Sequence, residues 1–244
     1  MSIGSAGLES RFANSISRLL DSVDYRLANS DEQREAIFRL RYRAYIRDGM
    51  ISPNSSGVFS DAYDETDNAY LLGLYIDDEL ASSIRVHVAS GKHPEFPSLE
   101  VFADVLQPEL DGGKVIVDTT RFVTDENLSR LHRGLPYITL RLCMLAARHF
   151  GADHLLAAVR AEHRMFYERA LSYRLICESR PYPLLAKPMS LMTLNYPAVA
   201  DQLNRRYPLF CSTLSERRML FERPKAGSLQ PEGSAAAAEC PAVC

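Results

Sequence analysis

From residue 114 onward, after two adjacent strands, short runs of β-forming residues alternate with helical segments, and this order constrains the fold more than any other feature. The runs AYLLGLYI (69–76) and ELASSIRVHV (79–88) are joined by Asp77 and Asp78, which predicts an antiparallel hairpin. Further strands are predicted at 114–123, 154–160, 174–179 and 188–196, with helices at 135–150, 161–171 and 197–206. Such alternation requires helices on both faces of a sheet. The sequence therefore predicts a single α/β (α+β) domain with a mixed, mostly antiparallel central sheet.

Both ends of the chain differ from this middle part. Residues 8–23 predict a helix that packs on the domain, with a membrane-surface or partner helix as the alternative. Its apolar stripe is formed by Leu8, Phe12, Ile16, Leu19 and Val23. From residue 223 the composition is typical of a disordered tail. We therefore divide the chain into a helical extension (1–24), one domain (25–222) and a tail (223–244).

A second helix is marked at both of its ends. Ser30 and Gln33 have the spacing of a capping box, in which each side chain bonds the backbone of the other residue. The helix is expected to stop at Gly49, because glycine readily adopts the left-handed conformation that ends helices. Residues 50–68 are predicted to form a loop.

Composition excludes several classes of protein. The net charge of −3 argues against a general nucleic-acid binder, since such proteins usually carry a basic excess. No apolar run approaches the roughly 20 residues that cross a bilayer, and no secretory signal is visible. The five cysteines are scattered without metal-ligand spacing. We expect a cytoplasmic protein with reduced thiols and no metal site.

Charged residues interrupt two of the apolar strands. Arg85 lies on the face of its strand opposite to Ile84 and Val86, and a buried guanidinium needs carboxylate partners. The nearest carboxylates lie in the loop ahead of the hairpin, at Asp61, Asp64, Glu65 and Asp67. Asp118 and Arg121 lie within VIVDTTRFV, and strand alternation sends them to opposite faces unless a bulge intervenes. Structural ion pairs or water-facing edge positions would also explain these residues. A shared polar pocket is the functional alternative.

Four blocks in order carry a resemblance to known enzymes. They are LRYRAYI (40–46), DAYDETDNAYLL (61–72), SSIRVHV (82–88) and VDTTRFV (117–123). These blocks are similar to the signature of the autoinducer (acyl-homoserine-lactone) synthases. The stretch 25–222 resembles more closely the FeeM-type N-acyl amino acid synthases, including RPYP (180–183) and SLMTLNYP (190–197). The resemblance implies a GCN5-type N-acetyltransferase fold.

The resemblance also implies a set of site residues. The matching positions are Arg41, Asp64, Asp67, Arg85, Phe102, Thr120 and Arg121. The chain departs from the autoinducer-synthase pattern at Tyr45, at Ala62 beside Asp61, at Asp118, and in having no tryptophan. Because these changes alter the pocket for the lactone-forming substrate, the resemblance favours an amino-acid synthase.

The implied reaction is aminolysis of a fatty acyl thioester by the α-amine of an amino acid. Asp118 is expected to act as the base or to order a water molecule, provided that burial raises its pKa. Arg121 and Arg85, braced by Asp64 and Asp67, are expected to bind the substrate carboxylate. Backbone N–H groups around 119–122 would stabilise the oxyanion.

Other side chains have both a catalytic and a structural interpretation. Tyr167 matches the tyrosine that protonates the leaving thiolate in GCN5-type enzymes, although a tyrosine on an apolar helix face is also typical of a core. His87 and His163 are alternative bases or structural residues. The walls of the acyl slot are expected at Leu142, Met144, Leu145 and Leu156.

The segment that binds pyrophosphate in GCN5-type folds should occupy 124–135. Gly134 is the single glycine in this segment, so the segment is poorly suited to binding the pyrophosphate of coenzyme A. The expected donor is therefore an acyl-phosphopantetheine carried by acyl carrier protein, with no other cofactor. Residues 128–152 contain no acid, and their arginines are candidates for docking that acidic protein, or form an ordinary solvated face. These arginines are Arg130, Arg133, Arg141 and Arg148.

Three alternatives to this function stay open. An acyl-homoserine-lactone synthase would use S-adenosylmethionine as acceptor. A non-catalytic module would bind acyl groups or carrier protein without releasing thiol. A coenzyme-A-dependent N-acetyltransferase would need the phosphate loop that the sequence does not show.

Overall fold

The computed structural model describes residues 16–222, and a seven-stranded sheet forms the centre of this part. The strands are β1 (Val23–Leu27), β2 (Ala69–Ile76), β3 (Glu79–Ala89), β4 (Ile116–Thr124), β5 (His154–Val159), β6 (Arg174–Arg180) and β7 (Met189–Asn195). Their spatial order is β1-β2-β3-β4-β5-β7-β6. All neighbours are antiparallel except β4 and β5, which are parallel. The predicted mixed, mostly antiparallel sheet is confirmed.

Helices cover both faces of this sheet. They are α1 (Asp31–Arg47), α2 (Pro97–Asp111), α3 (Glu126–Leu131), α4 (Leu135–Phe150), α5 (Arg164–Leu171), α6 (Tyr196–Arg206) and α7 (Leu214–Phe221). Short 3₁₀ turns lie at Ala62–Glu65, Ala161–His163 and Pro208–Phe210. The apolar face of β3 packs against α4, and its polar face lies towards α1. None of the described helices is long and apolar enough to cross a membrane.

Local signals determine several of these boundaries. Ser30 and Gln33 form the predicted capping box at the start of α1, and Gly49 follows its end with a φ of 63°. In the β2–β3 hairpin, Asp77 and Asp78 have φ values of 50° and 62°, as a two-residue type I′ turn requires. Both predictions are confirmed.

The N-terminal helix was predicted too long. Only 16–21 are helical in the described part, and β1 begins at Val23, which pairs with Ile76 of β2. Backbone pairing at the sheet edge therefore overrides the helical spacing of the apolar residues. Ile16 and Leu19 are buried as expected, whereas the predictions for Leu8, for Phe12 and for the tail lie outside the described residues.

Two helices had no sequence prediction. Helix α3 occupies the segment between β4 and α4, and Asp125 caps it by accepting bonds from the backbone of Asn127 and Leu128. Helix α7 begins after Thr213, whose side chain accepts a bond from Glu216 N. Both are short helices that depend on a capping side chain at the first turn.

Candidate functional site

Strand β4 has a β-bulge beside β3. Ser83 and Arg85 of β3 pair with Val123 and Thr120, so one β3 residue faces two residues of β4. Arg121 lies in the bulge with a φ of 56°. The extra residue breaks the alternation of side chains along β4, so Arg121 turns to the same face as Arg85 and Thr120. The sequence predicted that Asp118 and Arg121 would lie on opposite faces unless a bulge intervened, and this bulge is present.

Two aspartates hold three arginines together beneath this bulge. Asp61 Oδ1 is 2.5 Å from Arg85 Nη1, and Asp61 Oδ2 is 2.5 Å from Arg121 Nη2. Asp64 Oδ1 lies 2.8 Å from Arg41 Nη1 and 2.9 Å from Arg85 Nη1. All five side chains are buried or nearly so. The predicted carboxylate partners of Arg85 are therefore present.

This buried cluster carries an excess of positive charge, since three guanidinium groups share two carboxylates. Burial would raise the pKa of Asp61, but Arg85 and Arg121 outweigh it and hold that pKa below its usual value. Burial lowers the pKa of Arg41, and its Nε and Nη2 have no partner among the described residues. A group of this kind favours an added anion.

Arg121 is the one arginine of the cluster that is not completely buried, with 7% of its surface exposed. Its Nε and Nη2 both bond Asp61 Oδ2, whereas Nη1 has no hydrogen bond within 16–222. The guanidinium carbon lies 4.9 Å from the ring centre of Phe59 and 5.9 Å from that of Tyr45. Arg85, by contrast, is fully buried and its Nε bonds Thr120 Oγ1 at 3.2 Å. Arg121 can contact a ligand, and Arg85 positions Asp61 and Thr120.

Asp118 is fully buried and faces the first turn of α2. Its Oδ1 accepts a bond from Ser98 Oγ at 2.8 Å and its Oδ2 accepts one from Ser98 N at 3.1 Å. Phe96, the residue before the helix, has no side chain that caps it, so Asp118 supplies the cap from β4. Burial raises the pKa of Asp118 to about 6, although the hydrogen bonds from Ser98 act to lower it. The expected rise in pKa is present, but the carboxyl also has a structural task.

The raised pKa predicts a specific dependence of stability on pH. Below pH 4 the carboxyl is protonated in both states, and between about 4 and 6 only the folded state keeps the proton. Wild-type stability should therefore fall by about 2 kcal/mol relative to Asp118→Asn as the pH rises from 4 to 7. Urea unfolding of both proteins at the two pH values measures this difference. A difference that does not change with pH would contradict the assignment.

A cleft opens where β4 and β5 part. Their parallel pairing ends at Thr119 and Ala157, while β5 stays paired with β7 as far as Val159. The facing backbone groups beyond this point are free of strand partners. The cleft has a volume of about 390 Å³, and its walls come from the end of α1, the parted ends of β4 and β5, the start of α4 and α5, and the β6–β7 loop. The lining residues are Ala44, Tyr45, Arg47, Asp48, Met50, Ile84, Thr119, Thr120, Arg121, Phe122, Val123, Thr124, Pro136, Ala158, Val159, Arg160, His163, Phe166, Tyr167, Leu185 and Met189.

Several side chains singled out in the sequence meet at this cleft. Thr120 and Arg121 line it on the β4 side, and Tyr167 and His163 line it on the β5 side. Burial raises the pKa of Tyr167, which therefore keeps its proton at neutral pH. Burial lowers the pKa of His163, and the positive charge of Arg160 lowers it further. The Nε2 of His163 lies 2.6 Å from Arg160 Nη2. Asp118 is not among the residues that line the cleft.

Other predicted residues lie elsewhere. Asp67 is exposed, and its side chain makes no hydrogen bond or ion pair with any described residue, so it does not brace Arg85 or Arg121. Phe102 is fully buried in an apolar cluster between α2 and the sheet, at a kink in the helix. His87 is buried against Tyr63 O, and burial lowers its pKa to about 3.

The expected walls of the acyl slot form the packed core instead. Leu142, Met144 and Leu145 of α4 are buried against the sheet, and Leu156 of β5 packs against α2. None of these four side chains lines the cleft. The prediction was wrong because the apolar periodicity of a core helix is the same as that of a pocket wall.

The four arginines between 128 and 152 do not form one surface. Arg141 is buried, with its guanidinium bonded to Glu216 and to the carbonyl oxygens of Leu209 and Cys211, so it is not a docking residue. The other three are exposed, namely Arg130, Arg133 and Arg148. Arg130, which pairs with Glu126, and Arg133 precede the cleft residue Pro136 by six and three residues, whereas Arg148 is at the far end of α4, about 20 Å from Pro136 at 1.5 Å per residue.

Two contributors to the site, Ser98 and Phe59, had no role in the sequence prediction, and the part played by Asp61 is larger than predicted. Asp61 was predicted only as one of four loop acids able to pair with Arg85, yet it bonds both Arg85 and Arg121. Ser98 bonds Asp118, and Phe59 packs on Arg121. A signal for Asp61 exists in the sequence, because it opens a 3₁₀ turn as an Asp-x-x-Asp capping box with Asp64.

Comparison with known proteins bears on this site. A family model described as N-acyl amino acid synthase FeeM matches residues 36–195. The solved structure of FeeM, an N-acyl amino acid synthase from uncultured soil microbes, is 19% identical with a TM-score of 0.62, covering 74% of this chain and 94% of FeeM. The comparison with curated proteins gave no match.

Two further solved structures show the same fold. TofI, solved with an inhibitor and MTA, is 14% identical with a TM-score of 0.56, covering 78% of this chain and all of TofI. The AHL synthase LasI is 14% identical with a TM-score of 0.53, covering 70% of this chain and 88% of LasI. The family match spans most of the chain and includes the arginine–aspartate cluster and the cleft. The chain therefore belongs to the FeeM family of N-acyl amino acid synthases and is an N-acyltransferase.

Proposed function

We propose that this enzyme transfers a fatty acyl group from an acyl carrier protein thioester to the α-amine of an amino acid, which gives an N-acyl amino acid. The observation that carries the proposal is the free edge of Arg121 at the parted strands. A guanidinium fixed on one edge by Asp61 and open on the other is suited to a carboxylate. The positive excess of the buried cluster adds to this attraction.

Thr120 completes the acceptor side. Its Oγ1 accepts a hydrogen bond from Arg85 Nε, which leaves the hydroxyl proton free to donate into the cleft. A carboxylate held by Arg121 Nη1 and Thr120 Oγ1 would place the adjacent α-amine beside the open edge of β4. The carboxylate of the acceptor is thus expected to be essential for binding, more so than its side chain.

The thioester carbonyl is expected to lie against the open edge of β4. The amine nitrogen attacks the carbonyl carbon, and backbone N–H groups near the bulge stabilise the oxyanion that forms. The C–S bond then breaks, and Tyr167 donates its proton to the leaving thiolate. Because Asp118 lies behind the cleft wall, it would receive the proton of the attacking amine only through an intervening water.

The choice of donor rests on the segment before α4. Helix α3 occupies the place of a glycine-rich phosphate loop, and Gly134 has a packing task. A Cβ on Gly134 would lie 2.9 Å from Ile16 Cγ1, so glycine is needed there for close contact with the N-terminal helical residues. This arrangement favours a phosphopantetheine arm presented by a carrier protein over free coenzyme A.

Arg130 and Arg133 are the proposed docking residues for the acidic carrier protein. The double substitution to glutamate should raise the KM for acyl carrier protein about tenfold or more at low salt, with a smaller change in kcat. The effect should shrink as salt rises, because exposed charges are screened. Steady-state kinetics at 20 and 300 mM salt measure this, with Arg148→Glu as the matched control. An equal effect of Arg148→Glu would refute a local docking site.

The function itself is tested by product identification. The purified protein is incubated with long-chain acyl carrier protein and free amino acids, and thiol release and product mass are followed. An N-acyl amino acid is the expected product. A lactone formed from S-adenosylmethionine would assign the chain to autoinducer synthesis, and saturable carrier-protein binding without thiol release would make it a binding module.

A further inference from the structure

A second groove lies directly outside the cleft. It has about the same volume, 390 Å³, and is lined by Met50, Ile51, Ser52, Asn54, Phe59, Leu184 and Ala186. None of these residues carries a charge, and five of them are apolar. Met50 lines both the cleft and the groove, so this one side chain is part of the partition between them.

The loop between β6 and β7 forms the rest of the partition. Leu185 lines the cleft, whereas its neighbour Leu184 lines the groove. The loop is tied to the end of α1, since Ala186 N donates to Met50 O at 2.8 Å and Lys187 Nζ donates to Asp48 O at 2.9 Å. Met50 at the end of α1 and the loop residues Leu184 and Leu185 therefore lie between the two spaces.

A leucine at position 184 is expected to reduce the stability of the fold for two reasons. Its φ is 65°, in the left-handed region that bulky side chains rarely adopt, and 61% of its surface is exposed. Asparagine or glycine would fit the backbone better, and a polar residue would fit the exposure better. Backbone strain at a cleft rim, combined with an exposed apolar side chain, indicates contact with a ligand rather than a role in folding.

We propose that this outer groove binds the distal methylenes of the fatty acyl chain, with Met50 and Leu184 as the residues that select chain length. The inference rests on the proposed function. The cleft must hold the pantetheine arm, the thioester and the acceptor at the same time, so a long chain needs apolar space beyond it. The uncharged groove adjoins the cleft at Met50, and a flexible thioether can move aside for an unbranched chain.

The test compares long and short donors on the same enzyme. Leu184→Asp should lower the ratio of transfer rates for hexadecanoyl over hexanoyl carrier protein at least tenfold, because a carboxylate would face the chain. Leu184→Asn, which suits the backbone but lacks the charge, should give a smaller fall. Leu214→Asp is the control, since Leu214 is 54% exposed on α7, outside both spaces.

The outcomes separate the two proposals. Loss of long-chain transfer alone, with hexanoyl transfer and the unfolding midpoint unchanged, supports the groove. An unchanged ratio in Leu184→Asp and in Met50→Ala would refute the groove while leaving acyl transfer in place. Absence of transfer from every donor by the wild-type enzyme would instead refute the proposed function.

Discussion

Replacing Arg121 by asparagine should lower kcat/KM for acyl transfer by about 10² to 10³-fold while the protein stays folded. Asparagine tolerates the positive φ of the bulge, so the substitution removes the guanidinium without adding backbone strain. Asp61 keeps its bonds to Arg85, and the core of the cluster is retained. Steady-state kinetics together with urea unfolding would measure the two effects.

Two further variants sharpen this test. Arg121→Lys keeps the charge but loses the planar fork, and should recover only part of the activity. Arg174→Asn changes an exposed arginine on the edge strand β6 and should leave kcat/KM unchanged. Wild-type activity in Arg121→Asn would remove Arg121 from the site and with it the main support for a carboxylate-bearing acceptor.

The elements that local chemistry determines could be predicted from the sequence. Helix α4 begins with Pro136 in its first turn and ends before Gly151, and its bounds agree with the prediction. The β2–β3 hairpin follows from two alternating strands around Asp77 and Asp78. In each case the residues that set the boundary lie within the element or next to it, so no distant contact is needed to place it.

The parts that depend on distant partners could not be predicted in this way. Val23 forms a strand because Ile76 offers an edge, and Arg141 is buried because Glu216, 75 residues away, pairs with it. The acidic loop showed the same limit. Spacing alone could not distinguish Asp61 from Asp67, since the bulge that brings Arg121 to Asp61 is a feature of the folded sheet.

Asp61 is expected to contribute strongly to stability, because it pairs with two buried arginines. Asp61→Asn leaves Arg85 and Arg121 without their shared counter-charge in a buried setting, and should lower the free energy of unfolding by about 3 to 5 kcal/mol. Activity should fall with it, because Arg121 loses the carboxylate that fixes its orientation. Urea unfolding gives the stability, and kinetics under conditions where the variant is folded give the activity.

Asp67→Asn is the matched control, because it makes the same chemical change six residues away on the same loop. Asp67 is exposed and its side chain has no bonded partner in the described chain, so stability should change by less than about 0.5 kcal/mol. The two variants separate the family resemblance from the geometry, since the resemblance points to Asp67 and the hydrogen bonds point to Asp61. If Asp67→Asn were the damaging change and Asp61→Asn harmless, the arginine cluster would be held by an arrangement other than the one described. A large loss confined to Asp61→Asn would instead mean that the Asp61 carboxylate is needed to position both arginines, and through Arg121 the acceptor.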